Sequence, residues 1–453
     1  MKQKNNLLTD SIPSLMVKMA VPSVIAQIVN VLYSVVDRIY IGHIPNASEA
    51  ALTGVGVTLP IVTFISAFSS FVGSGGAPLS AIYQGKGDHI KAQKVLGNGV
   101  SMLLIFSVCL MALFYGFMNP LLYLFGASDA TIAYGRTYLS IYLIGTVFVL
   151  LSLGLNTYIV AQGAATTGML SVLIGAVLNL VLDPIFIFVF HMGVAGAAWA
   201  TVISQMVSAV WVVGFLVSPA ASLKIRVQDL KPKKQIIKKI ASLGISPFTM
   251  TATASLVGVV LNTEMQRYGG DLYVGSITVM QSLMQLINAP LSGFTQGVQP
   301  IISFNYGAGQ FDRVRKTYRR MIVITSSFSF AVTGLFMIFP GFFASFFTNS
   351  EQLIALCVQK MPLFMAGMLI FGFQKSIQPT FLALGQAKIS MFIAVLRKIV
   401  LLVPLAILLP MRLGTDGVYL AEPISDIISA TAAIILFATH IRKILAEDSV
   451  NRI

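Results

Sequence analysis

The sequence predicts an all-α membrane protein, with twelve transmembrane helices arranged as two pseudo-symmetric six-helix bundles. Three observations carry this reading. Of 453 residues, 56% are hydrophobic and only 10% are charged, where a soluble domain has about 45–50% and about 25%. Mean hydropathy is +0.84, an excess that no water-facing surface can hide, so soluble enzymes, disordered chains and secreted disulfide scaffolds are excluded. The apolar residues fall into runs of the length, about 20 residues, that crosses a hydrocarbon core. Finally, the second half of the chain repeats landmarks of the first.

Read between charged residues and Gly/Pro breaks, the first six runs are 14–42, 50–84, 90–126, 129–162, 167–191 and 193–217. The other six are 239–267, 272–306, 317–347, 352–385, 389–411 and 414–441. The first run has no small-residue cleavage site after it and is too long for a signal-peptide core, so it reads as a retained helix. Several runs exceed one span and are expected to tilt, kink or project.

The repeat appears at one constant offset: Pro78 with Pro300, Gln84-Gly-Lys-Gly-Asp88 with Tyr306-Gly-Ala-Gly-Gln310, and Gly163 with Gly385. One residue short of that offset, Gly193-x-x-Gly196 recurs as Gly414-x-x-Gly417. Each half holds six runs, so the repeats are parallel, related by an axis along the membrane normal. This gives an N-terminal lobe at 1–217, a basic linker at 218–239 and a C-terminal lobe at 240–453.

The net charge of +14 resembles that of a nucleic-acid binder, but its distribution does not. With both termini inside, the cytoplasmic loops collect Lys86, Lys91 and Lys94, the linker lysines, Arg313 to Arg320 and Lys388, and the tails add Lys2, Lys4, Arg442, Lys443 and Arg452. Opposite loops hold little beyond Arg267 and Arg412, offset by Glu49, Asp129, Asp271, Glu351 and Asp416. This is the positive-inside pattern. A multi-pass cell-membrane protein with cytoplasmic termini is expected, with the bilayer and not nucleic acid as its partner.

Enzyme signatures are missing. No G-x-x-x-x-G-K-[ST], G-x-S-x-G or H-E-x-x-H motif occurs, so no ATPase, hydrolase or zinc chemistry is indicated, and neither a cofactor nor a partner ATPase is expected. Cys109 and Cys357 sit in apolar runs without metal-ligand spacing and read as packing residues. The cluster Gly73-Ser-Gly75-Gly76 lies inside an apolar run and reads as a close helix contact.

What remains is a short set of ionisable residues inside hydrophobic helices, where they are costly and are functional candidates by default. Asp37 on the first helix and Asp183 on the fifth lie roughly 8 Å and 12 Å in from their outer ends, at 1.5 Å per residue. Asn179 shares the face of Asp183. Thr201 and Tyr138 reach a similar depth from the sixth and fourth helices. Gln27 and Asn30 continue the stripe that leads to Asp37, and Asn156 lies deeper. Two carboxyls sharing a desolvated site can hold a proton or a hard cation reversibly; the competing reading is a polar network that only fixes helix packing. The second half carries Lys375, Arg397, Lys398, Glu422 and Asp426 within its helices, and ion pairing of Arg397 or Lys398 with the two acids is the simple expectation.

Taken together, Tyr33-Ser-Val-Val-Asp37, Leu178-Asn-Leu-Val-Leu-Asp-Pro184 and Gly193-Val-Ala-Gly-Ala-Ala-Trp-Ala-Thr201 resemble the multidrug and toxic compound extrusion (MATE) family, nearest its MepA/DinF-like branch. The likeness covers the whole chain, including the basic linker and the Gly-rich turns. It implies a secondary antiporter that expels small amphipathic or cationic drug-like compounds by alternating access, driven by Na⁺ or H⁺. On the resemblance, Asp37, Asn179, Asp183 and Thr201 supply side-chain ligands for the coupling ion, beside the backbone carbonyl of Ala197. Members with a C-lobe acidic site carry it on the seventh and tenth helices, where this chain has Glu264 only near the end of the seventh and Gln374, Lys375 and Gln378 on the tenth. A flippase for lipid-linked precursors, with Lys375 and Arg397 meeting phosphate, is the alternative expectation.

Overall fold

A computed structural model describes residues 6–44 and 48–446; Lys2, Lys4 and Arg452 lie outside them, as do the side chains of Arg38 and Glu49. Apolar runs interrupted by glycine and proline become helices that break where the sequence does. The N-terminal half forms α1 (Ile12–Gly42), α2 (Ser48–Gly56), α3 (Leu59–Gly85), α4 (His89–Gly116), α5 (Met118–Leu124), α6 (Ile132–Ile144), α7 (Thr146–Ala161), α8 (Ala165–Pro184) and α9 (Gly193–Val217). The C-terminal half forms α10 (Lys234–Gly269), α11 (Asp271–Gly307), α12 (Phe311–Ile338), α13 (Pro340–Ser345), α14 (Glu351–Met365), α15 (Met368–Ala383), α16 (Ala387–Val395), α17 (Val403–Leu408), α18 (Pro410–Leu413) and α19 (Thr415–Ile444). Among the described residues, 9 helices cross a membrane by length and composition, and the bent pairs α6–α7 and α14–α15 raise this to 11. The twelfth span is α11, whose 37 residues include Gln281, Gln285, Asn288, Gln296 and Gln299, a polar stripe that lowers its hydropathy.

The repeat is visible in the backbone. The bend between α6 and α7 is 58° and that between α14 and α15 is 43°, and the two breaks fall at equivalent positions. Gly87 and Gly309 turn with φ 76° and 70°, and Gly163 and Gly385 with φ 83° and 73°. A side chain at any of these four positions would meet the steric cost of the left-handed region. Pro184 is followed by a π-helical turn at Ile185–Val189, and a second one spans Leu396–Leu402. Such turns change the aim of the side chains around them.

The linker is shorter than the expected 218–239. Residues 234–239 form the first turns of α10, because Ile236, Ile237 and Ile240 present an apolar face that packs on the N-lobe core. The remainder is clamped to that lobe: Gln93 Nε2 donates to the Lys224 carbonyl at 2.9 Å, Ser101 Oγ to the Leu230 carbonyl at 2.5 Å, and the Lys233 N–H to Asn98 Oδ1 at 2.6 Å.

The lobes meet chiefly through α3 against α10 and α1 against α11. Small residues make the seam. A Cβ on Gly75 would lie 2.5 Å from the Ile240 carbonyl, one on Gly297 would lie 2.5 Å from that of Met19, and one on Gly293 would lie 2.6 Å from Val24 Cα. Gly85 and Gly307 make equally close approaches to Phe304 and Ile82. The Gly293–Val24 contact is level with Gln27 and Gln296, and the others lie on the linker-bearing side of that pair, where Met19, Ile82, Ile301 and Tyr306 form a buried cluster shared by both lobes. The glycine cluster of α3 is therefore a packing surface, as its sequence suggests. Cys357 is buried, whereas Cys109 lies on the exposed outer face, so only the former packs within the bundle.

A wedge at this seam tests its role. Gly75→Leu should hold the lobes apart on the linker side. In a variant lacking Cys109 and Cys357, a cysteine replacing the fully buried Ser303 should react with a water-soluble maleimide only when the wedge is present. Equal protection with and without the Gly75→Leu substitution would contradict the seam.

Candidate functional site

Of the N-lobe residues singled out in the sequence, Asp37, Tyr138, Asn179, Asp183, Ala197 and Thr201 come from α1, α6, α8 and α9 and meet, whereas Gln27, Asn30 and the α7 residue Asn156 line the cavity beside them. Asp183 is fully buried on α8 and the Asp37 carboxyl from α1 stands within hydrogen-bonding reach of it. Asn179, one turn earlier on α8, donates from Nδ2 to Asp183 Oδ1 at 3.3 Å, while its own Oδ1 is buried with no hydrogen-bond donor. Tyr138 on α6 reaches Thr201 on α9 and lies close to Asp37. Ala197 is buried one turn before Thr201. Oxygen atoms from four helices thus converge around two carboxyls, a donor set that suits a hard cation or a proton held between acids.

Below this cluster lies a cavity of about 840 Å³, lined by Gln27, Asn30, Tyr33, Asn156, Asn179 and Thr201 among others. Asn156 is fixed differently from the rest: its Nδ2 donates to the Gly168 carbonyl at 3.3 Å, and its Oδ1 has no donor. Tyr33 carries no assignment in the sequence although it opens the quoted Tyr33–Asp37 segment; it lies beside both Asp37 and Asp183. Helical spacing from Asp37 puts it on the same face, so the signal is present.

In the C-lobe the simple expectation holds. Arg397, carried on the second π-helical turn, donates from Nε to Asp426 Oδ1 at 2.6 Å and from Nη2 to Glu422 Oε1 at 3.4 Å, and Lys398 Nζ is 3.7 Å from the same Glu422 oxygen. The Arg397 guanidinium also covers the Phe371 ring at 4.4 Å. Ser425 Oγ donates to the Arg397 carbonyl at 2.7 Å. Arg397, Glu422 and Asp426 are all buried; a pair of this kind is held by complementary charge in a medium where either partner alone would be expensive.

Lys375 takes no part in that cluster. Its Nζ donates to Ser292 Oγ at 3.0 Å and faces a second cavity of about 1100 Å³ between the lobes. Gln27 and Gln296 border both cavities and are joined across the lobe interface by a 3.1 Å hydrogen bond. Gln296 is not singled out in the sequence, although the three- and four-residue spacing of Gln285, Asn288, Ser292, Gln296 and Gln299 marks one polar face of α11.

Comparison with known proteins places these features in a family. The sequence pattern of the MatE family matches residues 22–185 and 248–408, one match in each lobe. The multidrug export protein MepA of Staphylococcus haemolyticus is 25% identical over 94% of this chain and 93% of its own length. Among solved structures, a MOP superfamily transporter from Pyrococcus furiosus superposes with a TM-score of 0.90 at 24% identity, over 98% of this chain and 100% of that one. An outward-facing multidrug resistance MATE family transporter gives the same TM-score at 23% identity, over 98% and 99%.

The C-lobe cluster makes a prediction about stability. Asp426→Asn should lower thermal stability in detergent more than Glu422→Gln, because Asp426 holds the shorter bond to Arg397. Stranding a buried charge costs on the order of 3–5 kcal/mol. Equal melting temperatures for the two variants would contradict the assigned geometry.

Proposed function

Because the chain belongs to the MatE family of multidrug efflux transporters, we propose that it is a secondary antiporter exporting small amphipathic, often cationic compounds by exchange for Na⁺ or H⁺. The observation that carries the coupling is the Asp37–Asp183 pair with the orphaned Asn179 oxygen. Two carboxylates in one desolvated pocket repel each other, so a proton or a sodium ion relieves the repulsion as it enters. Thr201, Tyr138 and the Ala197 carbonyl complete the oxygen shell. Asn179 Oδ1, buried without a donor, adds a further acceptor beside the two carboxyls.

The seam supports alternating access. The lobes touch through glycine-lined faces on the linker side, and away from that seam one core cluster lies mostly in the N-terminal half and another wholly in the C-terminal half. Moving one against the other would open that side and close the far one. The positive-inside pattern supports a cytoplasmic linker side, and with that orientation the closed seam corresponds to a state closed to the cytoplasm. Full-length similarity to a multidrug export protein favours this reading over a lipid-precursor flippase.

Three experiments test the proposal. Asp37→Asn and Asp183→Asn should each reduce gradient-driven dye efflux from proteoliposomes to the level of empty vesicles, at unchanged protein insertion. Retention of more than about half the wild-type rate in either variant would reject the coupling role, since an amide is cheaper to bury than a carboxylate and a merely structural site would tolerate it. A bifunctional thiol reagent joining cysteines at Lys86 and Ala308, where the ends of α3 and α11 meet, should stop transport; efflux at full rate with the crosslink complete would exclude rocking. Impermeant labelling of intact cells should reach a cysteine at Asp129 and miss one at Lys231, and the reverse pattern would invert the topology.

A further inference from the structure

The two cavities differ in the sign of their unsatisfied groups. Among the amide groups lining the N-lobe cavity, the buried atoms without partners are acceptors, Asn179 Oδ1 and Asn156 Oδ1. In the interlobe cavity they are donors. Gln374 is 1% exposed; its Oε1 accepts from Ser429 Oγ at 2.9 Å, which leaves Nε2 without an acceptor at the cavity wall. Gln299 Nε2, on α11 and lining the same cavity, is likewise without a partner. Lys375 lies next to Gln374 on α15, and its ammonium forms no ion pair among the described residues, since both nearby acids are engaged by Arg397 and Lys398. Within the cluster of Arg397, Lys398, Glu422 and Asp426 the charges balance, so Lys375 is left over from it, and Lys375 is the base that faces the cavity.

Buried donors without acceptors are costly, and a lysine presented to a cavity beside them forms a ready oxyanion receptor. The apolar part of a ligand also has a place: the Phe371 ring lies 5.6 Å from Lys375 Nζ and lines the cavity with Met250 and Leu382. We propose that Lys375, Gln374 and Gln299 form an oxyanion subsite that binds the carboxylate or phosphate of an amphipathic ligand, so that the chain accepts anionic and zwitterionic compounds as well as cationic ones. This extends the substrate class of the transporter proposed above, and it is tested by binding alone, independently of any gradient or coupling ion.

Three probes with one aromatic body separate charge from shape: 1-pyrenebutyrate, its neutral methyl ester, and the corresponding pyrenylbutyl trimethylammonium. Binding to purified protein in phosphatidylcholine nanodiscs is read from pyrene fluorescence. Pyrenebutyrate should bind wild type at least tenfold more tightly than the ester. Lys375→Gln should erase that preference and leave ammonium binding unchanged or tighter, Lys375→Arg should restore it to within about threefold, and Gln374→Met should weaken it severalfold. Ammonium binding in each sample serves as the check that the variant is folded. Adding phosphatidylglycerol to the nanodiscs distinguishes the source of the oxyanion: unchanged pyrenebutyrate binding assigns the site to a soluble ligand, and competition that is lost in Lys375→Gln assigns it to a lipid phosphate. Equal affinity of wild type for pyrenebutyrate and its ester, or an unaltered preference in Lys375→Gln, would overturn the proposal.

Discussion

Hydrocarbon offers no hydrogen-bond partner, so every ionisable side chain inside these helices must find its counterpart within the protein or at the wall of a cavity. The chain meets that constraint in three ways. In the C-lobe, Arg397 and Lys398 are neutralised by Glu422 and Asp426 at bonding distance. In the N-lobe, two acids face one another with no lysine or arginine paired to Asp183 among the described residues. At the interlobe cavity, Lys375 has only the Ser292 hydroxyl and an aromatic ring. The first arrangement is balanced in charge, although Asp426 Oδ2 has no hydrogen-bond donor, whereas in the other two neither Asp183 nor Lys375 has a counter-charge paired to it among the described residues. That difference separates structural charge from functional charge in this protein.

The same constraint explains the internal asymmetry of a repeated fold. Backbone landmarks survive duplication: glycine turns, the bends before α7 and α15, and the close seam. The polar cargo does not. Asp183 and Asn179 correspond by the repeat to Leu405 and Leu401, and Thr201 to Glu422. A pseudo-symmetric scaffold thus presents paired carboxyls in the N-lobe and, at the interlobe cavity, a lysine with no ion pair among the described residues. The Gln27–Gln296 hydrogen bond, the point where the two cavities adjoin, lies where the lobes must part if they rock.

Much of this is legible in the sequence because membrane insertion writes strong signals. Run lengths place the twelve spans, the positions of Asp37, Tyr138, Asp183 and Thr201 along their helices put four polar groups at a similar depth, and simple charge matching anticipates the Arg397 pairs. The departures have physical sources. Lys238 and Lys239 look like loop residues, yet Ile236, Ile237 and Ile240 supply a helical face, so α10 begins inside the expected linker. Gln296 and Tyr33 escape notice because an uncharged polar residue in an amphipathic helix has no distinctive cost until its neighbours are known. The pairing of Gln374 with Ser429, which leaves a donor orphaned, depends on α15 meeting α19 and has no local signature.

The central claim is that the Asp37–Asp183 pocket takes up the coupling ion in competition or in linkage with substrate, and linkage is reciprocal. The most direct measurement is the affinity of a permanent cation, tetraphenylphosphonium, for purified protein as Na⁺ concentration and pH are varied without any gradient. The account predicts that wild-type affinity changes with one of these ions and that the dependence disappears in Asp37→Asn and Asp183→Asn, with binding itself retained. The same ion dependence persisting in a variant that lacks both carboxyls would contradict it.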